Sequence, residues 1–270
     1  MYRTAGLAAI GETDVGMTTI DFNSDMGEIR ELIDDGTQEA LMASLTSVNV
    51  ACGAHAGDES MMRATIEQAV RRKVAVGAHP GYADRENFGR IELKMAPDAI
   101  AASVYEQVSA LGKIATECGR RVVHVKPHGA LYNQAAGNRE VAGAIAAGVA
   151  RWRRDLVLIG LAGSSMLDVF QEAGFAVAAE AFVDRRYEAN GTLRSRKLPG
   201  ALIENPAEAA RQALRIVEKG SVLAWDGTKV AVQAETLCVH GDSPGAARIA
   251  AEVAKTLRAA GIELRPPGNK

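Results

Sequence analysis

The chain has 270 residues, 47% of them hydrophobic and 24% charged, so it can bury a sizeable core in one large α/β domain or two small ones. A net charge of −2 and an aromatic content of 4% provide neither a basic field nor many stacking platforms, which argues against nucleic acid or an anionic membrane as partner. Three scattered cysteines (Cys52, Cys118, Cys238) without a C-x-x-C pair, no signal peptide and no run of ~18 apolar residues point to a reducing cytoplasm.

Residues 1–17 carry no periodic pattern and are expected to be a loose leader, with Met17 a candidate native start. Residues 18–270 are expected to form a single domain. The first strand is predicted over TTIDFN (18–23), running into DFNSDMGE (21–28). An EF-hand loop counted from Asp21 needs glycine at its sixth position and glutamate at its twelfth, where Met26 and Leu32 stand, so a calcium loop fails. On a strand, Asp21, Asn23 and Asp25 share one face. Asp21 and Asp25 then lie about 13 Å apart and cannot share a metal while the segment stays extended. Asp25 and Glu28, nearer the strand end, are the candidates for chemistry, against a turn simply capped by Asp25. Asp21 is expected to be an interior hydrogen-bonding group.

The second strand, SVNVAC (47–52), leads into ACGAHAGD (51–58), and a helix over 59–72 follows with Asp58 favoured as its N-cap rather than as a base. The third, VAVGAH (74–79), leads into GAHPGYADRENFGR (77–90), then a helix over 97–117 that starts at a proline. The fourth, VVHVKP (122–127), leads into HVKPHGALYN (124–133), where His124, Lys126 and His128 alternate and share a face. Lys126 fits either an anion clamp or an internal ion pair with Asp21 or Asp25. LVLIGLA (156–162) and VAAEAF (177–182) are the fifth and sixth strands, the latter continuing into AEAFVDRRY (179–187). A helix runs from an Asn205 cap through Pro206 to a Gly220 stop, and Asp226-Gly227 marks a hairpin inside VLAWDGTKVAV (222–232). TLCVHG (236–241) is the seventh strand. A last helix is expected from a Ser243 cap, with Asp242 its rival, to Gly261.

Strands alternating with helices imply a parallel sheet, and seven of them fit a distorted (β/α)7-8 barrel of TIM-like type better than an open sheet. All five histidines, His55, His79, His124, His128 and His240, fall in segments at or after strand ends, where barrel enzymes build their sites. Arg85, Arg90, Asp184 and Arg185 sit in polar loops, either clamping substrate or pairing with one another. The helix start within GDSPGAA offers backbone N–H groups to an anion, and no G-x-x-x-x-G-K-[ST] phosphate loop is present.

Six motifs in one order, DFNSDMGE, NVACGAHAGD, GAHPGYADRENFGR, HVKPHGALYN, AEAFVDRRYEANGTLRSR and CVHGDSPGA, make residues 18–265 resemble the LamB/YcsF family. That resemblance implies a distorted barrel related to polysaccharide deacetylases. It also implies ATP-dependent opening of 5-oxoproline (pyroglutamate) to L-glutamate, as the A component of a 5-oxoprolinase completed by subunits B and C. ATP with Mg, held here or on a partner subunit, is the implied cofactor. The family usually has a longer loop after the first motif, where this chain has IRELIDDGTQEA, a Phe where Ala54 stands and a Pro where Glu59 stands.

Phosphorylation of the amide oxygen would make the lactam a good electrophile for water. Asp25 or Glu28 is then the expected base, and His55, His79 and His128 hold or protonate the oxyanion. Lys126 pairs with the substrate's carboxylate or phosphate, and Asn23, Arg90, His240 and Asp242 are the expected binding residues. A second reading is a metal-dependent amidase or deacetylase with Asp25, His55, His79 and His128 as candidate ligands, although no H-E-x-x-H pair is present. A third is a lactam-binding or scaffold subunit without chemistry of its own.

Overall fold

A computed structural model describes residues 18–242 and 245–268. The expected leader and Met17 lie outside them. In chain order the elements are β1 (Thr19–Met26), α1 (Arg30–Asp34), α2 (Thr37–Met42), β2 (Ser47–Ala51), α3 (Glu59–Arg72), β3 (Ala75–His79), α4 (Pro97–Glu117), β4 (Val122–Val125), α5 (Gly129–Gly137) and α6 (Arg139–Trp152). There follow β5 (Val157–Leu161), α7 (Ser165–Glu172), β6 (Ala176–Phe182), α8 (Pro206–Lys219), β7 (Ser221–Leu223), β8 (Lys229–Ala231), β9 (Thr236–Cys238), α9 (Ala246–Ala259) and β10 (Glu263–Leu264).

Seven parallel strands close on themselves in the order β1-β2-β3-β4-β5-β6-β9, with β9 returning to β1. The closing register sets Asp21 against Thr236 and Asn23 against Cys238. β10 pairs with the start of β1, outside the ring. The (β/α) barrel expected from the alternation is therefore present, with seven strands. The Asp226-Gly227 turn joins β7 and β8 as an antiparallel hairpin apart from the barrel sheet.

Local signals place most helix ends. Asp58 caps α3 by accepting from the Met61 N–H at 2.9 Å, and Asn205 caps α8 by accepting from the Glu208 N–H at 3.1 Å. α8 turns Ala209, Ala210, Ala213 and Ile216 inward, one helical stripe. The start of α9 differs from expectation. The helix begins at Ala246 after Gly245, which stands at a φ of 77° and gives no side-chain cap. Ser243, the expected cap, lies outside the described residues. IRELIDDGTQEA forms α1 and α2, broken at Gly36 with a φ of 80°. Among the described residues no helix is long and apolar enough to cross a membrane.

The inside of the barrel is polar. Ile20, Phe22 and Met26 of β1 join the hydrophobic core, whereas Asp21 and Asn23 between them reach other buried polar side chains. Asp21 accepts from Thr46, Ser47 and Thr236. Asn23 donates to Thr236 at 2.7 Å and to Glu180 at 3.1 Å. The Asn49 amide donates to Asn23 Oδ1 and to Asp25 Oδ1, both at 2.8 Å, and its oxygen accepts from His124 Nε2 at 2.8 Å. His124 lies over the backbone of Gly77, where a Cβ would come within 1.9 Å of its Nε2. Burial keeps His124 neutral, pushing its pKa down to about 3.

Candidate functional site

The polar column ends in a cluster of charge where β1, β3 and β4 emerge. β1 stays extended to Met26, so Asp25 sits two residues above Asn23 on the same face. Asn23 is fully buried and bonded to Glu180, Thr236 and Asn49. It supports the site from below and does not face the cavity, which corrects its expected role in substrate binding.

Lys126 Nζ lies 2.9 Å from Asp25 Oδ1, 2.9 Å from Glu180 Oε1 and 3.1 Å from Cys238 Sγ. The internal ion pair is thus the observed alternative for Lys126, with Glu180 as an added partner and Asp21 absent from it. Burial opposes the charge on each, but mutual attraction prevails: the Lys126 ammonium is held well above its ordinary range, and the Asp25 carboxyl, beside His79 and Lys126, well below its own.

Glu28 follows the turn at Gly27. Its Oε1 stands 3.0 Å from His55 Nε2, 3.2 Å from His128 Nδ1 and 3.9 Å from His79 Nε2. Burial opposes its charge, and the close contacts with His128 and His55 reverse that effect, keeping it a carboxylate. His79 Nε2 lies 3.3 Å from Asp25 Oδ2 and 3.0 Å from His128 Nδ1. Burial disfavours the His79 cation, and Asp25 raises its pKa all the same. His55, which burial pushes down to about 4, stacks on His128 with centroids 3.8 Å apart and planes 3° apart.

The loop after β3 closes over these rings. Gly81 and Gly89 leave no room for a side chain there: a Cβ on either would come within 2.7 Å of a His55 atom. Phe88 between them stands at a φ of 55°, a conformation that costs a non-glycine residue about 1–3 kcal/mol. Its carbonyl accepts from His128 Nε2 at 2.8 Å, and its ring meets His55 and His128 edge-on.

A cavity of about 920 Å³ opens onto Asp25, Glu28, Lys126 and His128. His55 and His79 stand behind that surface, each 1% exposed. Across the cavity, His240 Nδ1 donates to Asp184 at 3.0 Å and stacks on Phe182. Burial disfavours the Asp184 charge, but His240 holds its pKa down. Arg90 and Arg196 pair with Asp242 at 2.7 and 3.2 Å on the rim. Arg85 instead donates to the carbonyls of Gly53 and Gly57, and Arg185 to that of Arg194. The polar-loop residues are therefore tied to other groups and not to one another.

The structure thus gathers Asp25, Glu28, His55, His79, Lys126 and His128 into one bonded cluster, with His240, Arg90 and Asp242 around the same cavity. His124 is set below it. Glu180 escaped individual notice in the sequence, and Asp184, noted there only among the polar-loop residues, was not matched with His240. Glu180 had a signal, as a single acid inside an Ala/Val-rich strand needs a buried partner. The pairing of Asp184 with His240 had none, because the two lie 56 residues apart.

The sequence profile of the LamB/YcsF family matches residues 20–270. A protein of Chloroflexus aggregans, named as the A subunit of 5-oxoprolinase, is 49% identical over 251 residues, covering 93% of this chain and 100% of its own. A Methylococcus capsulatus protein of the same name is 49% identical over 250 residues, 93% of this chain and 96% of its own. The crystal structure of a lactam utilization protein from Thermus thermophilus superposes with a TM-score of 0.85 at 40% identity, covering 92% of this chain and 99% of that one.

Proposed function

This chain belongs to the LamB/YcsF family, and on that premise we propose that it opens 5-oxoproline to L-glutamate as the A component of a 5-oxoprolinase. The observation that carries the reading is the pair of acids, Asp25 and Glu28, backed by three imidazoles at the floor of a cavity on the strand-end face. That is a place for hydrolysis of a small, stable amide.

Asp25 takes a proton from the attacking water. Its Oδ1 is occupied by Lys126 and Asn49, which leaves Oδ2, beside His79, as the accepting atom. The ring nitrogen needs a proton as the C–N bond breaks. His240 suits that task when its ring carries a second proton, because Asp184 holds its Nδ1–H and Nε2–H is then the hydrogen to pass on. Lys126 is saturated by Asp25 and Glu180, so it sets the charge of the floor and does not clamp substrate. Arg196, on the rim, is the group for the substrate carboxylate. ATP, with Mg, would activate the amide by phosphorylating its oxygen with release of ADP; opening of the C–N bond would then leave an acyl phosphate, whose hydrolysis releases inorganic phosphate and glutamate, and subunits B and C would complete the enzyme.

The test mixes the purified chain with subunits B and C, ATP and 5-oxoproline, and measures glutamate. Glutamate release that requires this chain, and that falls about 10²–10⁴-fold in Asp25→Asn, is the expected result. Unchanged release without the chain, or from the variant, would refute the reading.

A further inference from the structure

We propose that His79 Nε2, His128 Nδ1 and Glu28 Oε1 bind a divalent transition metal of the zinc class, beside the Asp25 Oδ2 that takes the proton of the attacking water. The inference rests on the lactam reading only for what the ion would act on.

The direction of the ring hydrogens carries the inference. His79 Nδ1 lies 2.7 Å from the Lys126 carbonyl, and His128 Nε2 lies 2.8 Å from the Phe88 carbonyl. A carbonyl only accepts, so both of those nitrogens hold hydrogen. In the neutral rings the remaining nitrogens, His79 Nε2 and His128 Nδ1, are bare lone pairs. They face each other at 3.0 Å. Glu28 Oε1, another electron-pair donor, stands 3.2 Å from the second and 3.9 Å from the first. Asp25 Oδ2 stands 3.3 Å from the first. Donors converging in this way repel unless something positive lies between them. Metal-bound histidines characteristically give their outward N–H to a carbonyl, as both do here.

The spacing and ring planes agree. Bonds of 2.0–2.1 Å in a tetrahedral zinc site put neighbouring ligand atoms about 3.3 Å apart, within the observed spread of 3.0 to 3.9 Å. The His79 and His128 planes are 86° apart, so one point can lie in both. His55 is different. Its ring is parallel to that of His128 and displaced by a full stacking distance, so an ion in the plane of one ring misses the plane of the other. Its Nε2 lies 3.0 Å from Glu28 Oε1 and orients that carboxylate. His55, expected among the ligands, is thus a positioning residue, and Glu28 takes its place. Imidazole and carboxylate donors suit zinc and its neighbours, not calcium or magnesium. Such an ion would supply Lewis acidity to the oxygen of the activated amide as water attacks.

The rival occupant is a single proton shared among His79, His128 and the two acids. Titration of the chelator-stripped, folded chain with Zn²⁺ in a calorimeter decides between them. One saturable site per chain is expected, with d–d bands of a low-coordinate nitrogen and oxygen site when Co²⁺ replaces Zn²⁺. Loss of an outer partner costs about 10–100-fold in affinity. His79→Gln and His128→Gln should weaken binding by more than that, and His55→Gln should stay within it. No saturable site in the wild-type chain overturns the proposal whether or not the variants fold. Equal loss in His55→Gln and His128→Gln overturns the ligand set. Stoichiometric zinc without glutamate formation in the complete mixture with B, C and ATP would refute the lactam reading alone. Full glutamate release by metal-free protein would refute the ion's role while sparing that reading.

Discussion

Glu180 Oε1 lies 2.9 Å from Lys126 Nζ, with Glu180 fully buried and Lys126 nearly so at the floor of the cavity. Two acids, Glu180 and Asp25, therefore flank one ammonium. Glu180→Gln removes one negative charge and leaves a buried cation with a single anionic partner. A loss of about 3 kcal/mol in urea unfolding is expected, as breaking one side of a buried pair costs several kcal/mol. Unchanged stability would mean that Asp25 alone balances Lys126.

Asp184→Asn addresses the opposite wall. The amide keeps the shape but offers an NH₂ where His240 Nδ1–H needs an acceptor, so the ring is free to take the wrong tautomer. Turnover in the complete enzyme mixture should fall about 10²–10⁴-fold with little change in melting temperature. Wild-type turnover would remove His240 from the proton path.

Asp21 gives a pH signature. Burial lifts its folded pKa to about 6 from an ordinary value of 3.8. The folded protein therefore binds this proton more tightly than the unfolded chain. The resulting stability is fully present below pH 3.8 and is lost as pH rises through about 6. Asp21→Asn cannot titrate there. The stability difference, wild type minus variant, should fall by up to about 3 kcal/mol between about pH 4 and 7. A pH-independent difference would show that Asp21 ionises alike in both states.

Gly77→Ala tests the polar column itself. The added methyl would fall on the His124 ring, which has no space to retreat because Asn49 holds it. A loss of about 1–3 kcal/mol or more is expected in thermal or urea unfolding. A neutral substitution would show that the ring swings away easily.

Period-two alternation in DFNSD was enough to put Asp21, Asn23 and Asp25 on one inner face, and that face was observed. It says nothing about height. Whether Asn23 reaches the mouth depends on its register against Ser47 and Cys238, which no local pattern encodes. Asp58 and Asn205 were legible because a cap acts within three residues. Lys126 with Glu180 and Asp184 with His240 were not, since each pair joins separate strand ends through the closed barrel. α1 and α2 went unread because helices this short show too little periodicity for their apolar residues to declare a face. The histidines were legible as a group, but their division into inward-facing rings, a stacked support and a buried interior member depends on where the carbonyls of Lys126 and Phe88 point.

The barrel is sealed by its first and last inner strands, β1 against β9, which lie more than two hundred residues apart in the chain. Asp21 cannot meet Thr236 until the ribosome has released almost the whole polypeptide. The seam is thus the last join of the ring that a nascent molecule can make, and every truncation that stops short of it yields an open sheet with hydroxyls and carboxylates laid bare along a line where only a finished ring can match them.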